Sequence, residues 1–392
     1  MTVPSTATSC RLNRPAAPRR RAGHDAGAGL NSVLRTSLGV LAAIACCVSA
    51  NVARAQVDTW TSTSSGAWGT GVNWSAGVPS SANTATFNGS AGLMNGITLL
   101  PSSMAGSLSF VSTGGANAYT FDTAATANNN TLTITSGITN SDTAEVTFYN
   151  TTTLAGAQTW TNNGGALAFS GNVNLGSGTS AYALTVNGAD AVTIAGVIAN
   201  GAASPASGSL TYSGTGLLTL TGTNTYSGGT TINSGTVNIQ NNSALGGGAV
   251  SVAPGRSATA TLQLQGGLTG VANAITLNGD GSTNVMGSSQ GALDNLSGNN
   301  TVTGAITLGS AAQINSDSGT LAVMSESSVS LRAVLPPGES GSWTKRLSIF
   351  VGNQHPPMFR ASTTFDSSSE TAKFLVSRPG ALLTISRVRT TM

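Results

Sequence analysis

The chain has 392 residues, only 7% of them charged, with 50 glycines and a formal net charge of +3 at pH 7. That length holds two ordinary domains or one long solenoid, and so few charges with so much glycine read as disorder unless the apolar residues are regularly placed. The charge is unevenly divided: residues 1–55 carry seven Arg and one Asp, 56–331 carry Arg256 against nine acids, and 332–392 carry eight basic and three acidic residues, so the central body lacks the basic face that a nucleic-acid partner requires.

Residues 1–55 read as an export leader. Arg19 to Arg21 and Arg35 precede an apolar core at residues 37–50, and Ala53-Arg54-Ala55 before Gln56 forms a small-residue cleavage site. The apolar core is shorter than the ~20 residues of a membrane span. The expectation is therefore cleavage near Ala55, export from the cytoplasm and no membrane span in the mature chain. A lipoprotein acylated at Cys46 is disfavoured because Ala43 stands where such a site wants Leu. The three arginines also lie too far from the apolar core for a twin-arginine signal. Cys10, Cys46 and Cys47 all belong to this leader. The mature protein is thus expected to have no disulfide, no cysteine nucleophile and no cysteine-based metal site.

Residues 56–115 open with Trp60, Trp68 and Trp74, followed by the alternating Thr84 to Phe87. Large aromatics at this spacing read as a buried cap on the open end of a repeat stack. The competing reading is a sugar-stacking shelf. Residues 116–211 then carry short apolar–polar–apolar triplets: Leu132 to Ile134, Leu167 to Phe169, Val173 to Leu175, Leu184 to Val186 and Val192 to Ile194. Each places two residues inward and one toward water.

The densest unit runs from Gly216 to Val252. Leu218/Leu220, Val237/Ile239 and Val250/Val252 bracket Thr219, Asn238 and Ser251, with turns at Gly222, Gly228-Gly229, Gly235 and Gly246 to Gly248. No stripe of helical period is present. Strands of three residues cannot stand alone, so they must stack on copies of themselves to bury a core. The run from Gly216 to Val237 resembles the autotransporter-associated β-strand repeat, also called the passenger-associated transport repeat. Leu218, Leu220, Gly222, Asn224, Tyr226, Gly228, Thr230, Ile232 and Gly235 fall on its motif positions. Val237 replaces the usual Leu, and Tyr212 replaces a common upstream Lys. The resemblance implies a right-handed parallel β-helix carried on an exported bacterial protein, with a repeat that assists passage across the outer membrane. The Trp-rich opening and the stretch from Gly291 to Val323 resemble segments that accompany these repeats, so the resemblance covers residues 57–323. Leu262 to Leu264 and Ile275 to Leu277 continue the stack at 12 to 13 residue intervals after Val237 and Val250.

Residues 324–392 differ. They hold 4 glycines against 42 in 56–323, while charged residues rise from 9 to 12. The repeat stops in mid-phrase after Val323. Two readings stay open: a small β segment, since residues 347–351, 374–376 and 382–388 are strand-like, or a frameshifted end that replaces the true continuation.

The search for chemistry returns little. His355, the one histidine after the leader, sits beside two prolines and is the only base a serine triad could use. Asp142 and Glu145 are the one close carboxylate pair of a glycosidase type, and a polar turn before a strand explains them as well. Arg256, the one body cation, lies in a Pro-Gly turn. Asn278 to Ser282 lacks the spacing and final Glu of a calcium loop, and Gly246 to Gly248 precede neither a helix nor a Lys. No catalytic, cofactor-binding or metal residues are therefore assigned, and no cofactor is expected.

The sequence expectation is an all-β, right-handed parallel β-helix with a Trp-rich amino-terminal cap. It divides into leader 1–55, cap and first rungs 56–115, repeat-bearing β-helix 116–323 and basic tail 324–392. Coils of roughly 20–25 residues stacked ~4.8 Å apart would span about 50–60 Å. The expected function is a non-enzymatic, secreted or cell-surface scaffold of the passenger type. Outer-membrane translocation machinery or surface glycans are its partners, with no nucleic acid. The alternatives are a carbohydrate-active β-helix enzyme, a polysaccharide lyase or hydrolase, and a glycan-binding adhesin that uses Trp60, Trp68 or Trp74.

Overall fold

The computed structural model describes residues 56–62, 65–88, 96–111, 118–201, 207–253, 259–283 and 290–325, and the backbone of four later strands. Residues 1–55, where the leader is expected, with their three cysteines, and Arg256 and His355 lie outside the described residues.

Successive short strands alternate between two long parallel sheets. Sheet A begins at Val57–Thr59, passes through Ala183–Gly188, Ser209–Tyr212, Thr230–Ile232 and Val250–Val252, and reaches Ile306–Ala312. Sheet B begins at Gly66–Ala67, passes through Val192–Ile194, Leu217–Leu220 and Gly235–Ile239, and reaches Ile314–Ser316. Each sheet has eleven strands on this path, so the described residues make eleven coils of a parallel β-solenoid. One coil takes 20 residues from Ser213 to Asn233 and 31 from Gln263 to Asp294, wider than the expected range. A short third ladder, Thr151–Leu154, Val173–Asn174 and Ile198–Ala199, lies beside the middle coils.

The triplets read from sequence form these strands because their outer members face inward. Leu218 and Leu220 stack on Val192 and Ile194 below and on Val237 and Ile239 above, and all six are buried. The inward column of sheet B turns aromatic after Ile97. Phe121, Phe148 and Phe169 are in register, with ring centroids 4.5 and 4.8 Å apart and planes within 11° and 5°. From Ile194 to Leu264 the same column is aliphatic, and Asn295 and Ser316 then occupy it. Identical side chains one rung apart stack face on because the ladder spacing is close to the thickness of stacked rings.

The Trp-rich opening is a cap. Trp60 and Trp68 each meet the ring of Trp74 edge-on, at 4.9 and 4.8 Å. Trp74 Nε1 donates to the Trp68 carbonyl at 2.8 Å. After a 3-10 turn at Gly71–Asn73, the chain returns along the outer edge of the first strand, where Thr61 N–H donates to Asn73 O at 2.8 Å and Ser75 N–H to Thr59 O at 2.9 Å. The open edge of sheet A is thereby paired, which removes a template for further strands. Asp58 is buried beneath this cap and accepts from Gln56 and Asn83.

Glycine is indispensable where one coil turns tightly over another. Gly188 has φ +115°, and a Cβ there would lie 1.9 Å from the Asn162 carbonyl of the coil below. At the other end, Asn299–Val302 and Thr320–Ser325 pair in parallel. Beyond Ser325 the pairing becomes antiparallel. Ala381–Arg389 lies between Thr320–Ser325 and Trp343–Val351, and Val329–Ala333 pairs with Ala372–Val376. The three strand-like stretches of the tail fall within these strands.

Candidate functional surface

The motif residues of the central unit are joints between coils. Asn224 is buried; its Oδ1 accepts from Ile198 N–H at 2.7 Å and its Nδ2 donates to the Ala244 carbonyl at 2.6 Å. One amide thus bridges the coil before it and the coil after it. Tyr226 is buried, and its hydroxyl lies 2.5 Å from Thr230 Oγ1, which donates onward to the Leu245 carbonyl at 3.2 Å. Burial pushes the Tyr226 pKa up, an effect that the Thr230 hydrogen bond partly offsets. At Gly228 and Gly235 a Cβ would come within 2.5 and 2.6 Å of carbonyls of the preceding coil. The segment therefore supplies apolar rungs, one amide staple, one anchored tyrosine and glycines at the close approaches.

Residues 210–239 match the family described as passenger-associated-transport-repeat. The match spans two consecutive pairs of strands, each with one strand in sheet A and one in sheet B. It starts six residues upstream of the run singled out by sequence, within the strand Ser209–Tyr212. No curated protein and no solved structure matches the chain. A transport repeat of this kind within a parallel β-solenoid points to a passenger-type protein of the autotransporter class.

Tyr212 on the preceding rung behaves differently from Tyr226. Its hydroxyl is buried without a hydrogen-bond partner among the described residues, and burial pushes its pKa up to about 12. The fold thus holds Tyr212 protonated where the unfolded chain ionises. Its stability is full below about pH 10, the unfolded value, and falls between there and about 12. Replacing Tyr212 by Phe is expected to leave neutral-pH stability within about 1 kcal/mol of the parent, since no hydrogen bond is lost. The same change should reduce the alkaline loss. Denaturant unfolding at pH 7 and pH 11 checks both parts.

The carboxylates weighed from sequence are tied to their own chain. Asp142 is fully buried; its oxygens accept from Ala144 N–H at 3.0 Å and from the Tyr119 hydroxyl at 3.4 Å. Glu145 accepts from Thr147 Oγ1 at 3.0 Å. Asn278 donates to the Val252 carbonyl at 3.0 Å, and among the described residues no group of three or more His, Cys, Asp or Glu could hold a metal ion. Trp60, Trp68 and Trp74 are 1%, 1% and 4% exposed, so their rings form core, not a shelf. No helix among the described residues is long and apolar enough to cross a membrane.

The outward faces of the two sheets differ. On sheet B the expectation that the middle residue of each triplet faces water holds at Thr193 and Thr219 but fails at Asn238, which is buried. Asn238 donates to Gln263 and Gln263 to Asp294, each at 2.9 Å, and Asn315 donates to Asp294 at 3.3 Å. Ser282 and Gln290 bond to Thr236 and Thr261 beside this ladder, so these two side chains lie against that part of the face. On sheet A the outward positions stay open. Thr159, Thr185, Thr211, Thr231, Ser251 and Thr276 are in register on six successive rungs, and none is buried. Sequence reading turned the middle residue of each triplet toward water but did not mark this continuous column. The signal available was a Thr or Ser recurring once per coil among the sheet A strands alone.

Proposed function

We propose that the protein is an exported, non-enzymatic β-solenoid of the passenger type, held at the bacterial surface or released from it. The observation that carries this reading is the transport-repeat match at residues 210–239 inside an unbroken parallel ladder. Stacking is sequential, so each coil folds onto the one before it. A chain that emerges unfolded on the far side of a membrane can fold coil by coil and is hindered from sliding back. Outer-membrane translocation machinery is the partner this reading requires, and surface glycans are the targets it allows. The internal hydrogen bonds of Asp142 and Glu145 support a scaffold role over a carbohydrate-cleaving one.

The test compares export of the full chain in a Gram-negative host for two variants matched in stability loss. One is Asn224→Ala, inside the matched segment, and the other is Phe148→Ala, outside it. The expected result is a several-fold larger drop in protease-accessible surface protein for Asn224→Ala. Equal export of the two variants would count against a transport role for the repeat. A polysaccharide-cleaving activity abolished by Asp142→Asn or His355→Ala would overturn the non-enzymatic reading.

A further inference from the structure

We propose that the outward face of sheet A is an ice-binding surface, an inference independent of the export reading. The face carries a regular column of hydroxyls, one Thr or Ser on each of the six rungs from Thr159 to Thr276. Two residues along the first pair of rungs, Thr161 faces Asn187. Rungs repeat at ~4.8 Å, and outward neighbours along a strand lie ~6.7 Å apart. The sheet A strands from Thr84–Phe87 to Ile306–Ala312 contain no Asp, Glu, Lys or Arg.

These hydroxyls are not spent on the protein. Among the described residues, the side chains of Thr185, Thr211, Thr231, Ser251 and Thr276 make no hydrogen bond to the chain, whereas Asn238, Gln263 and Asp294 on sheet B bond to one another. The ordering cost on sheet A is already met, because β-branched Thr has few rotamers and the ladder fixes each Cα. The chemistry then selects the occupant. A charged partner finds no counter-charge on these strands. A polysaccharide is bound by aromatic stacking as well as hydrogen bonds, and the aromatic rings of the cap point into the core. A second copy would have to strip water from every hydroxyl and replace each bond imperfectly. Water held in a lattice is neutral and periodic, and it satisfies each hydroxyl without desolvating it.

The experiment uses the purified full chain and reads thermal hysteresis and ice recrystallisation. The parent is expected to hold the freezing point below the melting point and to suppress recrystallisation. Thr185→Lys, which sets a charged, flexible side chain in the array, should lower the hysteresis to half or less. Thr193→Lys, on the outward face of sheet B, should leave it unchanged, with matching thermal melts showing that both variants fold. Four outcomes would overturn the proposal: no hysteresis in the parent, equal loss in both variants, a dimer that Thr185→Lys dissolves, or retention on crystalline cellulose that Thr185→Lys abolishes. Thr185 and Thr193 lie outside the matched segment 210–239, so failure here leaves the export reading standing.

Discussion

Replacing Phe148 by alanine is expected to destabilise the protein by about 3–5 kcal/mol, the range for emptying a fully buried aromatic site. Phe148 sits between Phe121 and Phe169 with both ring pairs nearly parallel, and its edge approaches Phe110 at 6.3 Å. The cavity therefore opens between two stacked rings, which the rungs hold at fixed spacing and cannot bring together. In the aliphatic half of the same column, Ile194→Val should cost only about 0.5–1.5 kcal/mol, since one methylene is removed and the neighbours stay in contact. Urea unfolding followed by tryptophan fluorescence measures both. A loss below about 1 kcal/mol for Phe148→Ala would mean that the aromatic stack is not packed as described.

The second large effect is at Asn224. Alanine there removes the acceptor of Ile198 N–H and the donor to the Ala244 carbonyl, two groups in successive coils. Each buried group left unpaired costs about 1–3 kcal/mol, so the change should cost about 2–6 kcal/mol. The loss should be local to the coils it joins. Hydrogen exchange is the discriminating measurement, with protection falling at Ile198 and in the coils on either side while the Trp-rich cap keeps its own. Uniform loss of protection would show that the solenoid unfolds as one block, and no loss would show that water replaces the staple.

Much of the fold was legible because the solenoid writes itself into short apolar pairs. Leu184/Val186 and Leu262/Leu264 declare their inward faces, and the turns between strands are marked by glycine. The third ladder was less legible. Thr152 and Thr153 are buried in Thr151–Leu154, and a Thr-rich strand reads as exposed until its neighbours are known. Asn238 failed for a similar reason. Its side chain bonds Gln263 on the next rung, 25 residues away, a pairing that local alternation does not encode. The staple role of Asn224 was visible only as a motif position. The hydroxyl column on sheet A was present in the sequence as scattered Thr residues, and only the register of the coils aligns them.

The central claim is the register of the coils, and cysteine pairs test it most directly. With Cys10, Cys46 and Cys47 replaced by serine, Thr185→Cys combined with Thr211→Cys places two thiols on adjacent rungs in register. Their Cα atoms would be ~4.8 Å apart, within the range a disulfide bridges. Thr185→Cys with Thr231→Cys places them two rungs apart, ~9.6 Å, beyond that range. The account predicts that mild oxidation closes the first pair quantitatively and leaves the second as free thiols. Closure of the second pair, or failure of the first in a chain with an unchanged β-sheet spectrum, would contradict the stacked-coil register on which the fold, the repeat joints and the hydroxyl face all depend.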